Sequence, residues 1–368
     1  MKKLAYIDAL RGLAIIGVIM AHMNEGIPNL YLIVENISKE GARGVQLFYV
    51  ASAFTIFLSY RSRSVQENNP VGNFFIRRFF RIAPMYWLGI AYYLWQSGLG
   101  PRYWLGDQPS VTPLNILSNL TFLHGLNPYW INSVVPGGWS IAVEMMFYML
   151  CPLLFMRVRN INQAFILLNL TLALNLILTL LLKDRSPIGP EWLWHKYLLF
   201  YLPSQLPVFA LGILMYFMIS GESGLKDVNG INFLVLSGMW LLQLCSPKFV
   251  FFQPQFMFGI GFLFLGLGLS RAPIPLIVNP IVTYIGKISF SLYLVHFAVI
   301  HWMQQFNIFD ISGIPILVFL YRFAMVLILS CIVSTVTYRL IEEPFQQIGK
   351  RIIRSREAKQ AVPATRSL

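Results

Sequence analysis

Ile7-Asp8-Ala9-Leu10-Arg11-Gly12-Leu13-Ala14-Ile15-Ile16-Gly17-Val18-Ile19-Met20-Ala21-His22 lies near the start of the chain and decides its fold class. Apart from Asp8, Arg11 and His22 the stretch is apolar, and with the residues before it the run approaches the ~20 residues that cross a bilayer core. Met1-Lys2-Lys3 resembles the basic start of a secretory signal peptide. Asp8 and Arg11 interrupt it, however, and no small-residue cleavage site follows Met20, so a retained first span is expected. Arg11 and His22 stand eleven positions apart. At 3.6 residues per turn that is within about 20° of three full turns, so both side chains share one face, roughly 16 Å apart along the axis.

The rest of the chain has the same character. Of 368 residues 57% are hydrophobic and 12% charged, too little polar surface for a soluble globule of this size. Ten apolar runs, near 5–23, 45–60, 82–97, 139–156, 163–182, 198–219, 231–247, 254–270, 288–304 and 313–338, predict an all-α polytopic membrane protein with about ten spans. Several hold Gly or Pro, including Pro152, Pro203, Pro207 and Gly259 to Gly268, so irregular helix packing is expected. With the N-terminus inside, 19 of the 28 Lys and Arg residues fall on the cytoplasmic side: two at the start, five in 59–81, two at 157–159, Lys226, two in 271–287 and seven from Arg339 onward. Both termini are therefore expected in the cytoplasm. The same asymmetry accounts for the net charge of +13 without nucleic acid as a partner. Cys151, Cys245 and Cys331 lie in apolar runs with no metal-ligand or paired spacing, which predicts inert packing residues and no metal site. Residues 1–345 read as one membrane-embedded domain and 346–368 as a basic cytoplasmic tail touching anionic lipid.

Charges inside spans are costly and face protein or aqueous cavities, so each is a functional candidate. Imidazole titrates near neutrality, which suits His22 to act as a general base, although a satisfied core histidine is the plainer alternative. Asp8 is placed to pair with Arg11. Arg77, Arg78 and Arg81, with Arg61 and Arg63 nearby, form either a positive-inside anchor or a phosphate clamp, since guanidinium forks match phosphate oxygens. Glu144 follows the glycine turn Gly137-Gly138 and the pair Trp139-Ser140. It is a candidate to orient His22, to neutralise an arginine, or to stay protonated in an apolar site. Ser289, Ser291, Tyr293 and His296 make a polar stripe on the ninth run, where hydroxyls also serve helix packing. Arg339, Glu342 and Glu343 suggest a helix-terminal ion pair. The loop 98–138 is rich in aromatic residues, among them Trp104, Tyr129 and Trp130, of the kind that bind sugar faces or form an interfacial belt.

Together these segments resemble acyltransferase family three, the integral membrane O-acyltransferases that modify sugars of bacterial surface and exported glycans. The resemblance runs from Ile7-Asp8-Ala9-Leu10-Arg11-Gly12 to Tyr338-Arg339-Leu340-Ile341-Glu342-Glu343-Pro344-Phe345. Its most specific element is the Arg11 to His22 spacing. Phe48-Tyr49-Val50-Ala51-Ser52-Ala53-Phe54, the Arg78 and Arg81 pair, Trp139-Ser140-Ile141-Ala142-Val143-Glu144 and Ser291-Leu292-Tyr293-Leu294-Val295-His296 add to it. Two positions depart: Ala53 where the family often has Gly, and Met145 where a second acidic residue is common. The resemblance implies ten helices in the bacterial cytoplasmic membrane and acyl-CoA, commonly acetyl-CoA, as donor substrate with no tightly bound cofactor. On the family pattern Arg11 and His22 are essential, with the Arg78 and Arg81 pair and Glu144 next in line. The expected site therefore has Arg11, His22 and Glu144 as catalytic residues, Arg77, Arg78 and Arg81 on the donor, and Trp139, Ser140, Tyr293 and His296 in support. The hydrolase-like domain that some members append is not part of this sequence, so the activity is expected to reside in the membrane domain. The expected acceptor is a hydroxyl of a surface or exported polysaccharide or of a lipid-linked sugar, with His22 as general base or acyl carrier. A transporter or flippase, which would use buried Arg, Glu and His for proton coupling, is the alternative from another class, and a membrane scaffold or sensor the third.

Overall fold

In the computed structural model of the chain, residues 4–24, 26–221, 229–245, 253–309, 311 and 313–361 are described. Lys2, Lys3, Lys226 and Arg366 of the charge count, and residues 246 and 247 of the seventh apolar run, lie outside them. The described residues are helical, with no strand among them.

The first helix, α1 (Ala5–Ala21), is central. It packs against α2 (Leu32–Glu40) and α3 (Gly44–Arg63), which are followed by α4 (Pro70–Ser97), the short α5 (Pro113–Leu120) and α6 (Gly138–Arg157). Then come α7 (Ile161–Leu182), α8 (Glu191–Phe200), α9 (Leu202–Ile219), α10 (Gly230–Leu244) and α11 (Pro254–Arg271). The chain closes with α12 (Pro280–Lys287), α13 (Ser289–Gln305), α14 (Pro315–Thr337), a π turn over Tyr338–Glu342 and α15 (Glu343–Ala361). Helix starts follow local chemistry. Asn69, Thr112, Asn160 and Asn279 each accept a backbone N–H of the first turn, and Pro follows three of them where a missing N–H costs nothing.

Each of the ten apolar runs is helical over most of its described length. Among the described residues, five stretches are long and apolar enough to cross a bilayer: Leu32–Arg63, Gly138–Arg157, Ile161–Leu182, Glu191–Ile219 and Pro315–Lys359. The α12–α13 pair makes a sixth if it counts as one span. Among the other runs, α1 and α10 have 17 and 15 residues, and α4 carries Arg77, Arg78 and Arg81. The outward faces of α7 and α14 expose Leu170, Leu174, Ile177, Leu317, Ile328 and Ile332, apolar surface that suits lipid and not water.

The expected irregularity has a specific form. Between α12 and α13 the chain bends by 80° at Ile288, so the ninth run begins at a corner. The corner is held against α1 by close backbone contact: a Cβ on Gly286 would lie 1.7 Å from the Asp8 carbonyl oxygen, and one on Gly12 would lie 2.3 Å from that of Val282. Small residues let the two helices touch, as in membrane helix pairs generally. The expected ion pair at the end of the tenth run takes another form. Glu342 is buried and accepts hydrogen bonds from the backbone N–H of Ser291 (2.9 Å) and from its hydroxyl (2.5 Å), tying the π turn to α13. Beyond it the basic segment is helical. Ile353 is buried, and Gly349 lies so close to α4 that a Cβ would meet Phe80 at 3.0 Å.

Candidate active site

Three cavities share walls in sequence through the bundle. The first, about 420 Å³, is lined by Arg11, Arg63, Arg77, Arg78, Arg81, Lys350 and Arg354, with Glu67 as its one carboxylate among the described residues. The second is a narrow space of about 70 Å³, walled by Arg11, Arg78, Arg81, Ser52, Glu144, Tyr148, Ser140 and Tyr293. The third, about 500 Å³, holds His22, Val18, Tyr103, Trp104, Trp139, Phe200 and Tyr293. Arg11, Arg78 and Arg81 belong to the first two cavities, Val45 and Tyr293 to the last two. The stripe on α1 therefore connects them: Arg11 stands in the arginine-lined part, and His22 opens into the aromatic cavity.

Arg11 donates to Thr55 Oγ1 at 2.9 Å and lies 3.9 Å from Asp8. Arg78 sits over the rings of Phe74 and Tyr148, with its guanidinium carbon 5.6 and 5.5 Å from their centres. Its Nε is buried without a hydrogen-bond partner. Arg77 is held by Glu67 through two hydrogen bonds of 2.6 and 3.1 Å. Arg81 makes no hydrogen bond or ion pair among the described residues. Two arginines thus keep hydrogen-bonding capacity turned to the cavity, while Arg77 is largely committed to Glu67. Arg322, the other arginine within an apolar run, donates to the Phe309 carbonyl at 3.0 Å and lines none of the three cavities.

Glu144 accepts from the Ser52 hydroxyl and from the Tyr148 hydroxyl, both at 2.5 Å. It shares the narrow cavity with the arginines, whereas His22 lines the outer one, so the structure brings Glu144 to the guanidinium groups and not to the imidazole. His22 is the first residue past α1, half-buried, with its ring 5.7 Å from that of His296 and 4.7 Å from Phe297. His296 is fully buried behind it. One ring nitrogen, Nδ1, is 3.2 Å from the Leu292 carbonyl, and Nε2 has no partner. Because a carbonyl oxygen only accepts, Nδ1 carries a proton and donates to it.

Ser140 and Tyr293 meet where the narrow and outer cavities adjoin. Their hydroxyls are 3.0 Å apart, and each is 3.0 Å from the Gly137 carbonyl, to which Tyr293 donates. Gly137 has φ +75°, and a Cβ there would lie 2.6 Å from Tyr293 Oη, so both its backbone conformation and the closeness of the ring require glycine. Trp139 stacks on Phe200 with centres 4.3 Å apart, forming one wall of the outer cavity. Of the loop aromatics, Trp104 lines that cavity; Tyr129 and Trp130 do not. Sequence reasoning missed Thr55, Ser52, Tyr148 and the cavity amides Gln46, Gln205 and Gln255. The only signal available was a polar residue within an apolar run, which packing produces equally often. It also missed Lys350 and Arg354, because their position opposite the arginines depends on how α15 folds back.

A family model described as an acyltransferase domain matches residues 4–339. A provisionally named O-acetyltransferase of Staphylococcus aureus strain COL is 24% identical over 379 residues, covering 95% of this chain and 58% of its own length. The O-acetyltransferase OatA of Staphylococcus aureus strain NCTC 8325 is 23% identical over 381 residues, covering 93% and 57%. The chain thus spans less than three fifths of the length of these relatives. No solved structure matches it.

Proposed function

The chain belongs to this acyltransferase family, and from that premise we propose that it is a multi-pass O-acyltransferase of the bacterial cytoplasmic membrane, moving an acyl group from acyl-CoA to a carbohydrate hydroxyl. The observation that carries the proposal is the order of the three cavities, with unpaired guanidinium groups at one end and an imidazole in an aromatic cavity at the other. The relatives named O-acetyltransferases favour acetyl as the group and an ester as the product.

In this reading the phosphates of coenzyme A rest in the arginine-lined cavity, where guanidinium forks match phosphate geometry. Arg78 and Arg81 make the principal contacts, and Arg77, partly neutralised by Glu67, adds field. The pantetheine arm extends along α1 through the narrow cavity, covering the roughly 16 Å between Arg11 and His22. Glu144 offsets the charge of Arg11 and Arg78 as the donor enters and leaves. The acceptor sugar lies in the outer cavity, against Trp104, Trp139 and Phe200, which supply flat apolar surface beside a few polar groups. His22 takes the proton of the acceptor hydroxyl as its oxygen attacks the thioester carbon. A C–O bond forms, the C–S bond breaks, and the proton passes to the departing thiolate. His296, packed against His22, keeps the ring in place. The arginine end faces the cytoplasm, as do both termini, and the acceptor arrives from the outer side or on a lipid carrier.

His22→Ala is expected to lower acylation of a glycan acceptor by about 10²–10⁴-fold, the usual range for a lost general base. Arg11→Ala is expected to abolish use of the donor. Normal acylation by a well-expressed His22→Ala protein would sink the catalytic role. Label from acyl-CoA that stays on denatured protein in a His22-dependent way would replace base catalysis by an acyl-histidine intermediate.

A further inference from the structure

Helix α15 forms part of the wall of the arginine-lined cavity. Gln346, Lys350, Ile353 and Arg354 line it. Spaced by three and four residues, they form one face of the helix. Ile353 is buried in that face, whereas Lys350 and Arg354 are exposed and make no ion pair or hydrogen bond among the described residues. Arg351 and Arg356, on other faces, do not line the cavity. One turn beyond Arg354 the same face ends in Glu357, which accepts from the backbone N–H of Asn68 (2.9 Å), the Asn68 side chain (2.8 Å) and Asn73 Nδ2 (2.6 Å) at the start of α4.

This arrangement sets Lys350 and Arg354 on one lining with five arginines, and among the described residues Glu67 is its one carboxylate. Like charges gathered around one cavity repel, and neither the Glu357 clasp nor Ile353 cancels that charge. The wall is favourable when the cavity holds a polyanion. We propose that α15 is half of the phosphate site, with Lys350 and Arg354 binding the nucleotide-end phosphates of the acyl donor opposite Arg78 and Arg81. The inference rests on the acyl-CoA reading for the identity of the donor, but the phosphate site itself can be tested apart from it.

The test uses the full chain in nanodiscs, with direct binding of acetyl-CoA and of adenosine 3′,5′-bisphosphate as probes. Lys350→Gln/Arg354→Gln is expected to weaken both by about tenfold or more, the scale of lost charge-assisted contacts, whereas Arg351→Gln/Arg356→Gln leaves both unchanged. Equal loss in the two double variants would reduce the effect to net charge and overturn the site. If acetyl-CoA binds wild type and the Lys350/Arg354 variant alike, α15 is no part of the site and the donor reading survives. If wild type binds the bisphosphate through Lys350 and Arg354 but does not bind acetyl-CoA, the phosphate site stands and the donor reading falls. An effect on stability confined to phosphatidylglycerol nanodiscs, with bisphosphate affinity intact, would assign the two residues to lipid headgroups and overturn the proposal.

Discussion

Gly137 bears most directly on the geometry between the two larger cavities, because it leaves no room for another side chain. Its φ of +75° strains any residue with a Cβ, and that Cβ would meet the Tyr293 hydroxyl. Gly137→Ala is therefore expected to destabilise the protein by about 1–3 kcal/mol, read as a lower unfolding temperature in detergent, and to displace Tyr293 from Ser140. Unchanged stability would mean that the turn relaxes without cost. At this scale the sequence was partly legible. Arg11 and His22 were expected on one face of a helix, and the structure places them on adjoining cavities along α1. Glu144 was legible as a buried charge but not by its partners, since Ser52 and Tyr148 reach it through tertiary packing of α3 against α6 and through a helical turn. Glu342 was expected in an ion pair and instead bonds Ser291, a contact made 51 residues away.

At the level of elements, apolar runs predicted helices well because a chain in lipid must satisfy its backbone internally, which leaves few alternatives to the helix. What the runs did not reveal was how helices meet. The corner at Ile288 depends on Gly286 touching the backbone of α1, and the docking of α15 joins the packing of Ile353 and Gly349 to one carboxylate, Glu357. Several N–H donors converge on Glu357, first the backbone N–H of Asn68, and hold its carboxyl below the usual carboxylate range. Its folded pKa lies below the unfolded value of about 4.3, so the clasp contributes fully above that pH and loses its contribution as pH falls through the lower, folded value. Hydrogen exchange in α15, taken relative to the intrinsic amide rate at each pH, is expected to stay slow at neutral pH and to become faster on acidification below about pH 4. Glu357→Gln should show the faster exchange already at pH 7. A variant whose α15 remains protected at pH 7 would show that Ile353 and Gly349 alone hold the helix.

Across the whole molecule, the central claim is that donor and acceptor meet from opposite ends of one line of cavities, which share walls from the arginines through Glu144 and Tyr293 to His22. In the proposed reading the charge asymmetry of the sequence gives that line a direction, with the arginines inside. The most direct measurement places the purified protein in vesicles of known orientation, with labelled acetyl-CoA on one side only and the acceptor sugar on the other. The account predicts labelled ester when the donor is on the side of Arg78 and Arg81 and the acceptor on the side of His22, and none when the two are exchanged. Equal labelling in both arrangements, or labelling only in the exchanged one, would contradict it.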